Sequence, residues 1–149
     1  HSLRPEPGVY VLVLRVGPVE ERAAVGALGD VLFAPGYYCY VGSALNGLKS
    51  RLQRHFRRSD KRRHWHVDYL RAISQPIGAV QWPTERAAEC ELSCRVAEMS
   101  GGGIPGFGST DCGCRCHLHY FAACPLERLH RIKIQGTEGE VVRPTDGPH

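Results

Sequence analysis

The segment from Tyr37 to His66 (YYCYVGSALNGLKSRLQRHFRRSDKRRHWH) places the tightest limits on how this chain can fold. It begins as an apolar, aromatic strand, turns at Gly42 and continues as a helix with leucines on one side and arginines on the other. A strand joined so closely to an amphipathic helix must lie in a sheet, with the helix packed on that sheet. Tyr37–Val41 therefore needs a partner. Gly8–Val16 (GVYVLVLRV), rich in β-branched residues, supplies one. Gly17-Pro18 ends the first run and Pro35-Gly36 opens the second, so the two pair antiparallel as an elaborated hairpin. The residues between, Glu20–Leu32, carry only weak signals: an irregular excursion, or a strand near Val31–Ala34.

Downstream, Asn46 is the expected helix N-cap. Leu48, Leu52 and Phe56 recur at helical spacing and define a buried stripe. Arg51 and His55, four apart, share the flank of that stripe, whereas Arg54 and Arg57 point further towards solvent. Trp65–Ile73 reads as a shorter helix with Val67 and Leu70 inward. Ile77–Trp82 is a third strand between two prolines. Thr84 is expected to cap a third helix ending near Met99, with Ala88, Leu92 and Val96 as its stripe. Glu85 and Glu89 border that stripe, and Glu91 pairs with Arg95 on the exposed side. Cys39, Cys90 and Cys94 read as small core residues.

Ser100–Ser109 (SGGGIPGFGS) must be a loop, and His117–Ala122 alternates like a last strand. From Pro125 the chain has weak strand character at Leu129–Ile134 and then polar, fraying residues. The expected class is α+β, a small central antiparallel sheet flanked by helices. Residues 1–124 form the domain and 125–149 a partly irregular extension.

The charge is unevenly spread. Lys49, Arg51, Arg54, Arg57, Arg58, Lys61, Arg62 and Arg63 are eight of the nineteen basic residues, with only Asp60 among them. The remaining eleven bases face fourteen acids, so a basic patch sits on a slightly acidic body. Such a patch is the footprint of a polyanion, here nucleic acid, with DNA favoured over RNA. No run of 18 apolar residues could span a bilayer, and no signal-peptide pattern opens the chain. Seven cysteines, an odd number, suit a reducing compartment better than a disulfide framework, so the expected location is cytoplasmic.

Gly8-Val9-Tyr10 on the first strand and Tyr40-Val41-Gly42 on the second are followed by S-A-x-N-x-L-x-x-R-L-x-x-H-F. Later come H-W-H-V-D-Y-L, E-C-E-L and G-F-G-S-T-D-C-x-C-x-x-H-L. In this order the chain resembles the GIY-YIG nuclease superfamily, and its later segments resemble the small Uri-type branch, from Gly8 to about Phe121. The resemblance implies a metal-dependent endonuclease that hydrolyses phosphodiester bonds. It makes Tyr10 and Tyr40 the two motif tyrosines, Arg51 the helix arginine and Glu89 the single metal-binding carboxylate. In two respects the chain departs from the family pattern. The motif tyrosines are 30 residues apart, so the first hairpin carries an insertion. No asparagine stands where many relatives keep one near the end, and Asp111 is the candidate in its place.

The chemistry suits these residues. One Mg²⁺ or Mn²⁺ can be held by a lone carboxylate such as Glu89, with waters completing its shell. Arg51 could grip a phosphate bidentately. Tyr10 is the expected proton acceptor, with Tyr40 orienting the water or phosphate, and His55 and His66 are competing general bases. Lys49, Arg54, Arg57, Arg58, Lys61, Arg62 and Arg63 would bind the nucleic-acid backbone. An alternative is a zinc-binding, nucleic-acid-binding module without hydrolytic activity. Cys112, Cys114, Cys116, His117 and His119 crowd together for it, although C-x-C-x-C lacks the usual zinc-knuckle spacing. His117 and Asp111 are thus candidates for a substrate contact or a structural role.

Overall fold

The computed structural model describes residues 2–57, 66–103 and 117–144. The first long strand is β1 (Gly8–Val16). A small hairpin follows, β2 (Glu21–Ala24) and β3 (Asp30–Phe33), joined through a 3-10 turn at Gly26–Leu28. Next come β4 (Gly36–Ala44), α1 (Leu48–Phe56), α2 (His66–Arg71) and β5 (Gln75–Pro83). The chain continues through α3 (Glu89–Met99), β6 (Gly102–Gly103) and β7 (Leu118–Phe121). It closes with α4 (Leu126–Leu129), the short pair β8 (Lys133–Ile134) and β9 (Thr137–Glu138), and β10 (Glu140–Val142).

These build a six-stranded sheet in the order β10-β5-β1-β4-β7-β6, antiparallel throughout. The class is α+β, as the sequence indicates. β1 lies at the centre, buried on both faces, which is why its sequence is a continuous apolar run rather than an alternation. Tyr10, Leu12 and Leu14 point to one face, where Leu48 and Leu52 of α1, Val67 and Leu70 of α2, and Val25 and Phe33 of the inserted hairpin cover them. Val9, Val11 and Val13 point to the other, beneath Ala88, Leu92 and Val96 of the α3 segment and Leu126 and Leu129 of α4. The insertion between the motif tyrosines is thus a hairpin with a share of the core.

Several sequence expectations are corrected by local packing. Gly47, not Asn46, precedes α1, at φ 112°, and no side chain caps the helix. Instead the amides of Leu48 and Lys49 donate to the carbonyls of Glu6 and Arg4, at 2.8 and 2.6 Å. The N-terminal segment performs the capping. Thr84 lies upstream of α3, where its hydroxyl accepts from the Arg86 amide at 3.0 Å. Glu91 pairs with Arg86 at 2.6 Å, and Arg95 donates to the Lys133 carbonyl. Cys90 and Cys94 are exposed on α3; Cys39 is buried as expected.

Arg54 does not project into solvent. It forms a bidentate pair with Asp68 of α2, at 2.8 and 2.9 Å, and the Asp68 side chain is fully buried. Arg71 crosses between the same two helices and donates to the carbonyls of His55, Phe56 and Ser74. It thereby satisfies backbone acceptors at the end of α1.

Residues 125–142 are not a frayed appendage. Leu126, Leu129, Ile132, Ile134 and Val142 are buried, β10 extends the main sheet beside β5, and Trp82 Nε1 donates to the Ile132 carbonyl at 2.9 Å. Leu129 ends α4, so only Lys133–Ile134 of the expected weak strand pairs, with β9, while Glu140–Val142 becomes a strand along the edge of β5. Among the described residues no helix is long and apolar enough to cross a membrane.

Candidate active site

The site forms where β4 passes the last of its described partners on β7. β4 and β7 are in register from Tyr37 opposite Phe121 to Tyr40 opposite Leu118, and the Val41 amide donates to the His117 carbonyl at 2.8 Å. Ser43, two residues on, turns its backbone groups to the same side. Among the described residues no strand stands opposite it. Its carbonyl accepts instead from Arg51 Nη1 of α1, at 2.8 Å. Its hydroxyl, on the opposite sheet face from Tyr40, donates to Oε1 of Glu89 in the first turn of α3. Glu89 Oε2 lies 2.8 Å from His117 Nδ1. The two helical layers meet around this one residue.

On the α1 face, Tyr10 lies across Gly42. The hydroxyl and Cζ of Tyr10 would stand 2.5 and 2.7 Å from a Cβ there, so the glycine of the Tyr40-Val41-Gly42 run exists to let the tyrosine pass. The Tyr10 hydroxyl then meets Nε2 of the buried His55 at 2.8 Å. Tyr40 packs against both, its ring centroid 6.4 Å from that of Tyr10 and 6.2 Å from that of His55. Two linked sets of contacts therefore meet here: His55 with Tyr10, and Arg51 with Ser43, Glu89 and His117, the Arg51 charge acting on Tyr10 as well.

The electrostatics separate the members. Burial pushes the Tyr10 hydroxyl up to about 12 against the pull of the Arg51 guanidinium. Tyr40 is raised further, by burial first and then by Tyr10 and Glu89. Burial would raise Glu89 too. The hydrogen bonds from His117 and Ser43 and the charges of His117 and Arg51 outweigh it, and the carboxyl is held below its usual range.

The expected residues fare differently. Tyr10, Tyr40, Arg51, His55, Glu89 and His117 are brought together. His66 opens α2 and is not among them; burial lowers its pKa. Lys49 and Arg57 are exposed on or beside α1, while Arg54 is turned to Asp68. Arg58, Lys61, Arg62, Arg63, Asp111, Cys112, Cys114 and Cys116 lie outside the described residues. His119 turns to α3, its Nε2 2.9 Å from Ser93 Oγ, and burial followed by the charge of His117 lowers its pKa to about 4. Ser43 has no counterpart among the expected site residues. The signal for it was available: it shares the edge of Val41 and is eight residues before Arg51.

Glu89 meets the requirements of a sparse metal site. It is an ionised, hard-oxygen donor, partly open to solvent, and Ser43 and His117 each engage only one acceptor position of one oxygen. Among the described residues no group of three or more His, Cys, Asp or Glu side chains is arranged to hold a metal. A cation here would therefore rely on water for most of its shell.

Residues 9–136 match a family described as Domain of unknown function DUF123. The chain belongs to this family. No curated protein and no solved structure matches it. The DUF123 match begins one residue before Tyr10 and continues through α4 into the loop between β8 and β9. The family's extent thus includes both helical layers and every residue of the site, and it runs past Cys124.

Proposed function

We propose that this DUF123-family chain is a metal-dependent endonuclease of the GIY-YIG type, of the Uri-like branch, acting on DNA. The observation that carries the reading is the gathering of charged and phenolic side chains around Ser43, beyond the last described β7 partner of β4. Tyr10 is hydrogen-bonded to His55, Arg51 and Glu89 are both held by Ser43, His117 lies against Glu89, and the Tyr40 ring packs on Tyr10 and His55. That combination answers the needs of phosphodiester hydrolysis: a proton acceptor, a phosphate grip and a cation ligand.

Arg51 grips a non-bridging phosphate oxygen through its guanidinium fork. Glu89 would hold one Mg²⁺ or Mn²⁺, which when bound supplies Lewis acidity at the phosphate and the leaving oxygen. The Tyr10 hydroxyl takes a proton from the attacking water while giving its own to His55 Nε2. Alone, a phenol raised to about 12 would be a poor base, and the imidazole 2.8 Å away removes that obstacle. Tyr40 orients the water or the phosphate. Lys49 and Arg57, exposed on the α1 side, contact the nucleic-acid backbone together with the basic run that follows them in sequence.

The test is cleavage of single-stranded, duplex, branched and damaged oligonucleotides with Mg²⁺ or Mn²⁺ and with chelator. Glu89→Ala should abolish cutting while leaving binding in chelator nearly intact. An unchanged cleavage rate in Glu89→Ala would remove Glu89 from the chemistry, and metal-independent cutting would remove the cation. Stoichiometric zinc retained after dialysis, with no cutting of any substrate, would instead support a zinc-binding, nucleic-acid-binding module.

A further inference from the structure

We infer that Ser43 and His117 are positioning residues of Glu89, a two-point clamp that fixes the carboxylate relative to Arg51. The inference rests on the reading of Glu89 as the cation ligand. Glu89 is in the first turn of α3, its side chain 29% exposed. A glutamate so placed has three free torsions and would ordinarily sample solvent. Here each carboxylate oxygen is engaged from a different strand, Oε1 by the hydroxyl of Ser43 on β4 and Oε2 by the ion-pair contact of His117 Nδ1, 2.8 Å away at the head of β7.

Both donors are themselves immobilised. His117 is 1% exposed, and its carbonyl accepts the Val41 amide, so the residue that grips Glu89 also ties β7 to β4. Ser43 is fixed in the sheet by its register with Val9. Its carbonyl holds Arg51 and its hydroxyl holds Glu89, so a single rigid residue sets the separation of the two charged groups. The two contacts are chemically independent. Replacing the serine by alanine removes the carboxylate's donor and keeps the arginine's acceptor.

Partners that orient a metal ligand typically contribute about 10–100-fold to metal affinity. The experiment is Mn²⁺ binding to the whole chain, followed by electron paramagnetic resonance, alongside melting temperature and DNA binding in chelator. Ser43→Ala and His117→Leu should each weaken Mn²⁺ by about 10–100-fold. Ser43→Thr, which keeps the hydroxyl on a strand, and His117→Asn, whose amide nitrogen stands near the Nδ1 position, should recover most of the loss. DNA affinity in chelator should stay level in all four, because Arg51 keeps its carbonyl.

Unchanged Mn²⁺ affinity in Ser43→Ala at an unchanged melting temperature overturns the clamp. So does weakening that the conservative variants fail to rescue, since packing rather than donation would then be responsible. If His117→Leu does not fold, the half-exposed Ser43 decides alone. If Glu89→Ala binds Mn²⁺ as tightly as the natural chain, Glu89 is not the ligand, and the reading beneath the clamp falls first.

Discussion

Replacing Arg54 by alanine separates two views of the basic face of α1. If Arg54 reaches into solvent, its loss weakens nucleic-acid binding and leaves the fold alone. The structure gives it another task. Its guanidinium holds both oxygens of Asp68, at 2.8 and 2.9 Å, and the Asp68 side chain is wholly buried against the α1–α2 junction. Removing one partner of a buried pair costs roughly 3–5 kcal/mol, because the buried carboxylate loses its bidentate donor. Arg54 is itself 16% exposed, so water could partly replace it, which favours the lower end of that range. For a domain of this length each kcal/mol lowers the melting temperature by roughly 2–4 °C, so a drop of about 6–12 °C follows for a loss near 3 kcal/mol. Thermal and urea unfolding at neutral pH measure it, with Arg57→Ala as the surface control, expected within about 0.5 kcal/mol of the natural chain. Asp68→Asn added to Arg54→Ala should recover part of the loss, because a neutral amide is cheaper to bury than a carboxylate. Melting within a degree of the Arg57→Ala control, with an equal fall in DNA affinity, would refute the pairing argument.

Gly42→Ala should displace the Tyr10 ring, since the new methyl would stand 2.5 Å from the hydroxyl; overpacking of this kind costs about 1–3 kcal/mol, and cleavage should fall more than binding does. His119 has a pKa lowered to about 4 by burial and by His117, so it stays neutral in the fold where the unfolded chain would take up a proton. Its stabilising effect is therefore complete above the unfolded value near 6.5 and is lost as pH falls from there towards 4, by on the order of 3 kcal/mol. His119→Gln, which can keep a contact to Ser93 without titrating, should flatten the stability curve over that interval; an equally steep curve would assign the acid sensitivity to another group. Lys49→Ala with Arg57→Ala should reduce the slope of log affinity against log salt by up to about 1.8, and an unmoved slope would place the phosphate footprint elsewhere.

What the sequence reveals and what it hides divide along the range of the interactions. The strands β1, β4 and β5 and the stripes Leu48–Leu52 and Ala88–Leu92–Val96 follow from apolar patterning, because a continuous apolar run reports a strand buried on both faces and a helical stripe reports one face turned to the sheet. The grouping of Tyr10, Tyr40, Arg51 and Glu89 follows from ordered motifs. Partners distant in sequence do not follow in the same way. Nothing within the window around Arg54 shows that Asp68 will close on it, and nothing near Asn46 shows that the carbonyls of Arg4 and Glu6 will cap the helix. The C-terminal residues carry too short an apolar pattern to declare a strand, yet the open edge of β5 makes one of Glu140–Val142.

The same long-range logic explains why the site stands where it does. A sheet interior has no free backbone acceptors, and a helix surface alone cannot hold a guanidinium and a carboxylate at a defined distance. The end of β4 combines the two. Its first half is pinned between β1 and β7, which makes Gly42–Ala44 stiff, while Ser43 lies past the last described β7 partner and keeps a carbonyl and a hydroxyl to spend on side chains. A helix on each face then delivers one charged group to that residue, Arg51 from one side and Glu89 from the other. Rigidity from the strand and chemistry from the helices are joined at one serine, so a shift in either helical layer must change the arginine–carboxylate spacing. This is why substitutions that loosen α1 from the α1–α2 junction, Arg54→Ala among them, should lower the rate of cleavage even at temperatures where the chain remains folded.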